Sequence, residues 1–234
     1  TVTVRTQTGT YMNDTKNETV VILHGIGNSK FNMWMVEKGF KDAGYKTLNL
    51  NYPSLRNNIE ALALWLHDKL AAENVWNTAE KVHFVAHSMG GLVTGSYLQA
   101  FKKDYPQNKL GRVVMLGTPH GGSEVADGLQ DIWLYKFVFG PAGQELTTNH
   151  RNPLKLKPHY DLGIIAGTQN WLYPLGKYFI EEPHDGGVSG ESTKLDGMHD
   201  HIVMNILHGV MGLSPKVTEQ TKHFIQNGVF NHED

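Results

Sequence analysis

Ser88 lies in the run Val82-His83-Phe84-Val85-Ala86-His87-Ser88-Met89-Gly90-Gly91-Leu92, an apolar stretch that enters a small-x-Ser-x-Gly turn and continues into helix-forming residues. That spacing suits a serine nucleophile. A strand turning sharply into a helix lifts the hydroxyl above the sheet edge and leaves the next backbone N–H free to bind an anion. The turn is so tight that the side chains at Ala86 and Gly90 must be small, or they would collide with the backbone beside them. A serine hydroxyl is a weak nucleophile at its free pKa and needs a base. The charge that develops on the attacked carbonyl oxygen needs donors.

The chain offers both. Leu23-His24-Gly25-Ile26-Gly27 follows an apolar run, and its glycines let backbone approach a substrate carbonyl. The N–H groups of Ile26 and Met89 are the expected pair of oxyanion donors. For the base, His199, His201 and His208 all lie late in the chain. His201 falls inside the alternating run 200–205, which reads as a strand. His208 follows that strand and precedes Ser214-Pro215-Lys216-Val217, where a helix should start. Position therefore favours His208, with His201 and His199 as alternatives. For the acid, Asp185 in Pro183-His184-Asp185-Gly186-Gly187 sits in a loop whose glycines can aim a carboxylate at an imidazole Nδ1–H. Such an acid fixes the tautomer and stabilises the imidazolium without taking the proton itself. Asp161 and Asp200 each begin a strand and are poorly placed, and Asp196 is the main competitor.

The elements that must position these groups alternate short apolar runs with helical stretches, the pattern of a mostly parallel sheet with crossover helices on both faces. Strands are expected at 2–7, 19–23, 45–50, 81–86, 112–116, 162–166 and 200–206. Helices are expected at 31–43, 58–72, 89–101 and 215–225. Residues 58–72 place Ile59, Leu62, Leu66 and Leu70 on one face, and Pro215 suits a first helical turn. The irregular stretch 122–160 holds Trp133, Tyr135, Phe137, Val138 and Phe139 beside Gly140-Pro141-Ala142-Gly143. It reads as a short helical cap inserted into a single domain spanning 1–234. Two readings are open for it: short helices packed on the core, or a lid with an apolar underside. Trp34, Trp133 and Phe137 are the candidate substrate-binding residues of an acyl pocket.

Composition bounds the alternatives. A chain of 234 residues, 40% hydrophobic and 19% charged, suits one globular domain. A net charge of −2 points to neither nucleic acid nor an anionic membrane surface, and no apolar run approaches the ~20 residues of a membrane span. Without cysteine, disulfides, thiol catalysis and cysteine-ligated zinc are excluded together. The 13 histidines are scattered without H-E-x-x-H or similar ligand spacing, so no metal is expected. The triplets at Asn13 and Asn17 match the N-glycosylation pattern but read as chance matches in a polar turn. A soluble protein is expected, with the cytoplasm favoured over secretion, although a start at Thr1 is also compatible with a removed leader.

Three motifs together resemble the bacterial serine esterase and lipase branch of the α/β-hydrolases: His24-Gly25-Ile26-Gly27, Ala86-His87-Ser88-Met89-Gly90-Gly91, and Gly117-Thr118-Pro119-His120-Gly121-Gly122-Ser123. The first two are similar to those of the small Bacillus lipases, which share Ala in place of the usual first Gly of the elbow. The third resembles lipases and inositol-deacylase-like acyl hydrolases. The stretches from Asp185 to Lys216 are similar to a group of bacterial α/β-hydrolases in which the His seven residues before the Pro would be catalytic, which again favours His208. The order Ser, acid, His is that of the superfamily. The resemblance implies hydrolysis of small-molecule or lipid carboxylic esters by Ser88, His208 and Asp185 through an acyl-enzyme, with no cofactor; the apolar residues near 132–139, with Trp34 and Ile26, suggest a pocket for short to medium acyl chains. A lipase acting at interfaces and a non-catalytic binding protein on the same scaffold are the alternatives.

Overall fold

The structure, a computed structural model, describes residues 17–120, 156–169, 188 and 190–233. The expected strand at 2–7 lies outside these residues. Of the expected cap at 122–160, only 156–160 lies within them.

Six strands are present among the described residues: β1 Glu18–Leu23, β2 Lys46–Leu50, β3 Lys81–His87, β4 Leu110–Leu116, β5 Leu162–Gly167 and β6 Asp200–Met204. They form one sheet in the order β2-β1-β3-β4-β5-β6, with every neighbouring pair parallel. Parallel sheets are covered on both faces, so their inner strands read as unbroken apolar runs. Val20-Val21-Ile22-Leu23 and all of β5 are buried accordingly.

Side chains alternate between the two faces along each strand. Val82, Phe84 and Ala86 of β3 pack with α2 (Ile59–Ala72), α3 (Val75–Thr78) and α4 (Met89–Ala100). Val85 faces the other layer, where α1 (Trp34–Asp42) packs on α5 (Pro215–Asn227). Two of the helices carry side-chain caps at their starts. The Asn58 side chain accepts from Ala61 N–H at the start of α2, and Ile59, Leu62, Ala63, Leu66 and Leu70 form its buried stripe. Full burial of each such Leu or Ile side chain is worth about 1.5–3 kcal/mol. Ser214 caps α5 through Val217 N–H, Pro215 opens it, and Gly228 closes it with a left-handed φ of 83°.

Besides shifts of one or two residues at other element ends and the short α3, which is absent from the expected set, three departures bear on the site and its supports. The helix expected from residue 31 begins as a tighter 3-10 turn, Lys30–Met33, before α1. The last strand stops at Met204 rather than 206. β4 starts at Leu110, two residues early, because it carries a bulge: Val82 pairs with Leu110, whereas Phe84 pairs with Val113. The His83 ring fills the gap. Its Nδ1 accepts from Arg112 N–H at 2.9 Å and its Nε2 donates to Glu18 at 3.1 Å. A Cβ on Gly111 would stand 2.4 Å from that Nδ1, so only glycine fits there.

The strand order reverses direction between β1 and β3. In open parallel sheets the crevice beyond the carboxyl ends at such a switch point is where ligands bind. The loops that leave β1 and β3 at that crevice are the two glycine-rich turns singled out in the sequence.

Candidate active site

β3 ends at His87 and α4 begins at Met89, so one residue makes the whole turn. That residue is Ser88, at φ 53° and ψ −127°. A non-glycine residue held there costs on the order of 1–3 kcal/mol and persists only where its surroundings enforce it. Ser88 N–H donates to the Leu116 carbonyl at 2.8 Å. The Ser88 carbonyl accepts from Gly91 N–H at 2.9 Å and from the Thr118 hydroxyl at 3.1 Å. The glycines after the serine are sterically required. A Cβ on Gly90 would lie 2.6 Å from the His24 carbonyl oxygen, and one on Gly91 would lie 2.0 Å from Thr118 Oγ1. Thr118, unremarked in the sequence beyond its motif, is thus a brace for the elbow.

A serine at a helix N-cap ordinarily turns its oxygen onto the first backbone N–H groups. Ser88 makes no such capping bond. Its Oγ lies 3.0 Å from His208 Nε2 instead. In the Nδ1–H tautomer the hydroxyl donates to that nitrogen, the geometry a general base needs. His208 opens a 3-10 turn, His208–Leu213, after β6. Met211 is wholly buried in the α1/α5 layer, and Gly212 lies so close to the Lys30–Met33 turn that a Cβ would be 2.3 Å from the Asn32 carbonyl oxygen.

The structure separates the other candidates from Ser88. His199 Nδ1 accepts from Leu162 N–H, and its Nε2 lies 3.3 Å from Asp161. His201 Nε2 donates to Thr193 Oγ1, whose own hydroxyl proton goes to the Gly190 carbonyl. Asp185 lies outside the described residues. The carboxylates weighed against it are at the wrong end of the sheet. Asp161 and Asp200 stand at the starts of β5 and β6, and Asp196 is in an exposed turn before β6. Ser88 and His208 sit at the carboxyl ends.

The turn after β1 is clamped from one side by the loop after β2. Tyr52 donates to the His24 carbonyl at 2.8 Å and stacks on the His24 ring, centroids 4.5 Å apart. Ser54 Oγ accepts from Gly27 N–H at 3.1 Å, and Gly27 takes a left-handed φ of 67°. Burial pulls the His24 pKa down, against its bond to the Gly25 carbonyl, and pushes that of Tyr52 up. Among the described residues Ile26 N–H makes no hydrogen bond. Met89 N–H, at the first position of α4, has no intrahelical partner. Trp34 opens α1 and is 46% exposed. Trp133 and Phe137 lie outside the described residues. Phe31, Leu55 and Val210, not singled out in the sequence, are exposed apolar side chains in the turns beside the site.

His120, two residues beyond Thr118, is buried, and among the described residues both its ring nitrogens lack hydrogen-bond partners. Burial drags its pKa down to about 4. In the unfolded chain the same ring takes a proton near pH ~6.5. Between those values the unfolded state binds more protons, so stability rises with pH in that window. The contribution is intact above about pH 6.5 and lost as the pH falls toward about 4, a cost on the order of 3 kcal/mol. Urea midpoints measured from neutral pH down to about pH 4 should fall steeply in the parent and less steeply in His120→Phe. Equal slopes would assign the acid sensitivity to other groups.

No protein-family model matches the chain. It is similar to a protein named triacylglycerol lipase from Pseudarthrobacter phenanthrenivorans, 32% identical over 125 residues that cover 48% of this chain and 36% of the relative. A triacylglycerol lipase from Burkholderia plantarii matches at the same identity over 48% of this chain and 32% of its own length. The chain thus spans about a third of the length of the curated relatives it matches. Among solved structures, Bacillus licheniformis lipase BlEst2 in mature form superposes with a TM-score of 0.68 at 22% identity, covering 92% of this chain and 93% of that one. Sheet order, elbow and structural likeness together give this chain the α/β-hydrolase fold, and in sequence it is similar to bacterial lipases.

Proposed function

We propose that this chain is a serine hydrolase of carboxylic esters, acting through an acyl-enzyme on short to medium acyl chains. The observation that supports the reading is the 3.0 Å approach of His208 Nε2 to Ser88 Oγ at a strained strand-to-helix turn. His208 takes the Ser88 proton as Oγ attacks the ester carbonyl. The N–H groups of Ile26 and Met89 receive the oxyanion, each worth about 3 kcal/mol in the transition state. His208 then gives its proton to the leaving alcohol. Water, deprotonated by the same imidazole, releases the acid. Asp185 is assigned to His208 Nδ1–H, and Trp34, Trp133 and Phe137 to the acyl pocket, within a single domain that carries 122–160 as a cap-like insertion.

A fluorophosphonate probe followed by peptide mapping tests the nucleophile, with adduct mass expected on the peptide holding Ser88. A series of p-nitrophenyl esters tests the substrate, with kcat/KM expected to peak at short to medium chains. No label, or label elsewhere, overturns the proposal.

A second reading, a lipase acting at lipid–water interfaces, draws support from the exposed Phe31, Trp34, Leu55 and Val210 around the site and from the names of the curated relatives. It predicts a jump in rate as a triglyceride passes its solubility limit. The esterase reading predicts none.

A further inference from the structure

We propose that His87 is a positioning residue that fixes the base by holding its backbone, an inference that rests on the assignment of Ser88 and His208 above. His87 is the last residue of β3 and is buried. It falls in register with His83 and Val85, so its ring enters the α1/α5 layer, the side from which His208 arrives. There His87 Nε2 lies 3.0 Å from the carbonyl oxygen of His208, across 121 residues of sequence. A carbonyl only accepts, so Nε2 carries the proton and donates. The two rings also touch, with centroids 4.8 Å apart at 45°. On its other side the ring lies against the oxyanion turn, where a Cβ on Gly25 would stand 2.9 Å from His87 Nδ1.

One imidazole therefore touches both segments that must be in register with the nucleophile it precedes. The His208 side chain reaches Ser88 while its own carbonyl is tied to the residue next to Ser88. Among the described residues, two hydrogen bonds tie the loop bearing the base to the elbow, one from the His208 ring to Ser88 and one from the His87 ring to the His208 carbonyl. The main-chain tie takes no part in proton transfer. Its effect is on distance and angle, and a displacement of about 1 Å at a reacting pair costs on the order of 10²-fold in rate.

The test uses three variants of the full chain. His87→Leu removes the donor, His87→Asn keeps a polar side chain too short to reach, and His87→Gln places an amide N–H near the position of Nε2. Expected for His87→Leu and His87→Asn is a fall in kcat of about 10- to 100-fold with KM for a p-nitrophenyl butyrate within about twofold, and a parallel fall in the rate of fluorophosphonate labelling. His87→Gln should recover most of both rates. In a His208→Ala background, His87→Leu should cost nothing further, because the group it positions is gone. The proposal is overturned if His87→Leu leaves kcat unchanged, if Gln fails to rescue while the protein remains folded by circular dichroism, or if the loss persists undiminished in the His208→Ala background. If His87→Leu does not fold, His87→Asn against His87→Gln gives the same comparison. Failure of the underlying assignment reads differently: Ser88→Ala would then retain turnover whatever is done to His87.

Discussion

Ser88→Ala is expected to lower kcat on p-nitrophenyl esters by about 10⁴- to 10⁶-fold while shifting Tm by no more than a few degrees. The two parts of that expectation come from the same observation. Ser88 Oγ is bonded to His208 Nε2 and does not cap α4, so its removal takes away the proposed nucleophile but deprives the fold of no helix cap. The nitrogen left behind belongs to a residue that is only half-buried, so the penalty of a polar group orphaned in the core is not expected in full. The main-chain bonds that enforce the turn, to Leu116, Gly91 and Thr118, do not involve the hydroxyl and survive. Alanine at φ 53° carries a strain similar to serine's. Paired measurements of kcat and thermal unfolding check it. Turnover within tenfold of the parent removes Ser88 from the chemistry. A collapse of Tm alongside lost activity would assign the loss to unfolding instead.

The parts of this architecture legible in the sequence are those written locally. β1 and β5 are buried on both faces, so their apolar runs identify them without knowledge of their neighbours. The elbow is legible for a similar reason. Its constraint is a clash within a few residues, and small side chains around one serine announce it. Contacts made across the sheet leave no such local trace. The bulge in β4 exists because His83, 29 residues earlier, supplies the hydrogen bond that Arg112 N–H would otherwise lack; the regular pattern at 112–116 was visible and the irregular start before it was not. Likewise, period-two alternation tells which face His87 occupies but not that a carbonyl from residue 208 will be waiting there. The proposed base illustrates the middle case. Three late histidines had suitable chemistry, and only the end of β6 at Met204, with the 3-10 turn docked on Lys30–Met33, brings one of them to Ser88.

That distinction among the histidines yields the second large effect. His208→Ala should reduce kcat by about 10⁴- to 10⁶-fold, comparable to loss of the serine, whereas His199→Ala and His201→Ala should stay within about threefold of the parent. Each of the latter rings is occupied elsewhere: His201 donates to Thr193, and His199 bridges Leu162 N–H and Asp161. Their removal costs about 1 kcal/mol of stability per lost hydrogen bond and leaves the approach to Ser88 untouched. Because a nucleophile and its base act as one unit, the double variant Ser88→Ala/His208→Ala should be no slower than the worse single one. Additive losses would mean that the two side chains serve separate steps. A normal kcat in His208→Ala with a collapse in His201→Ala would move the base to β6, and with it require a rearrangement of the turn that the His87 bond now holds against the elbow.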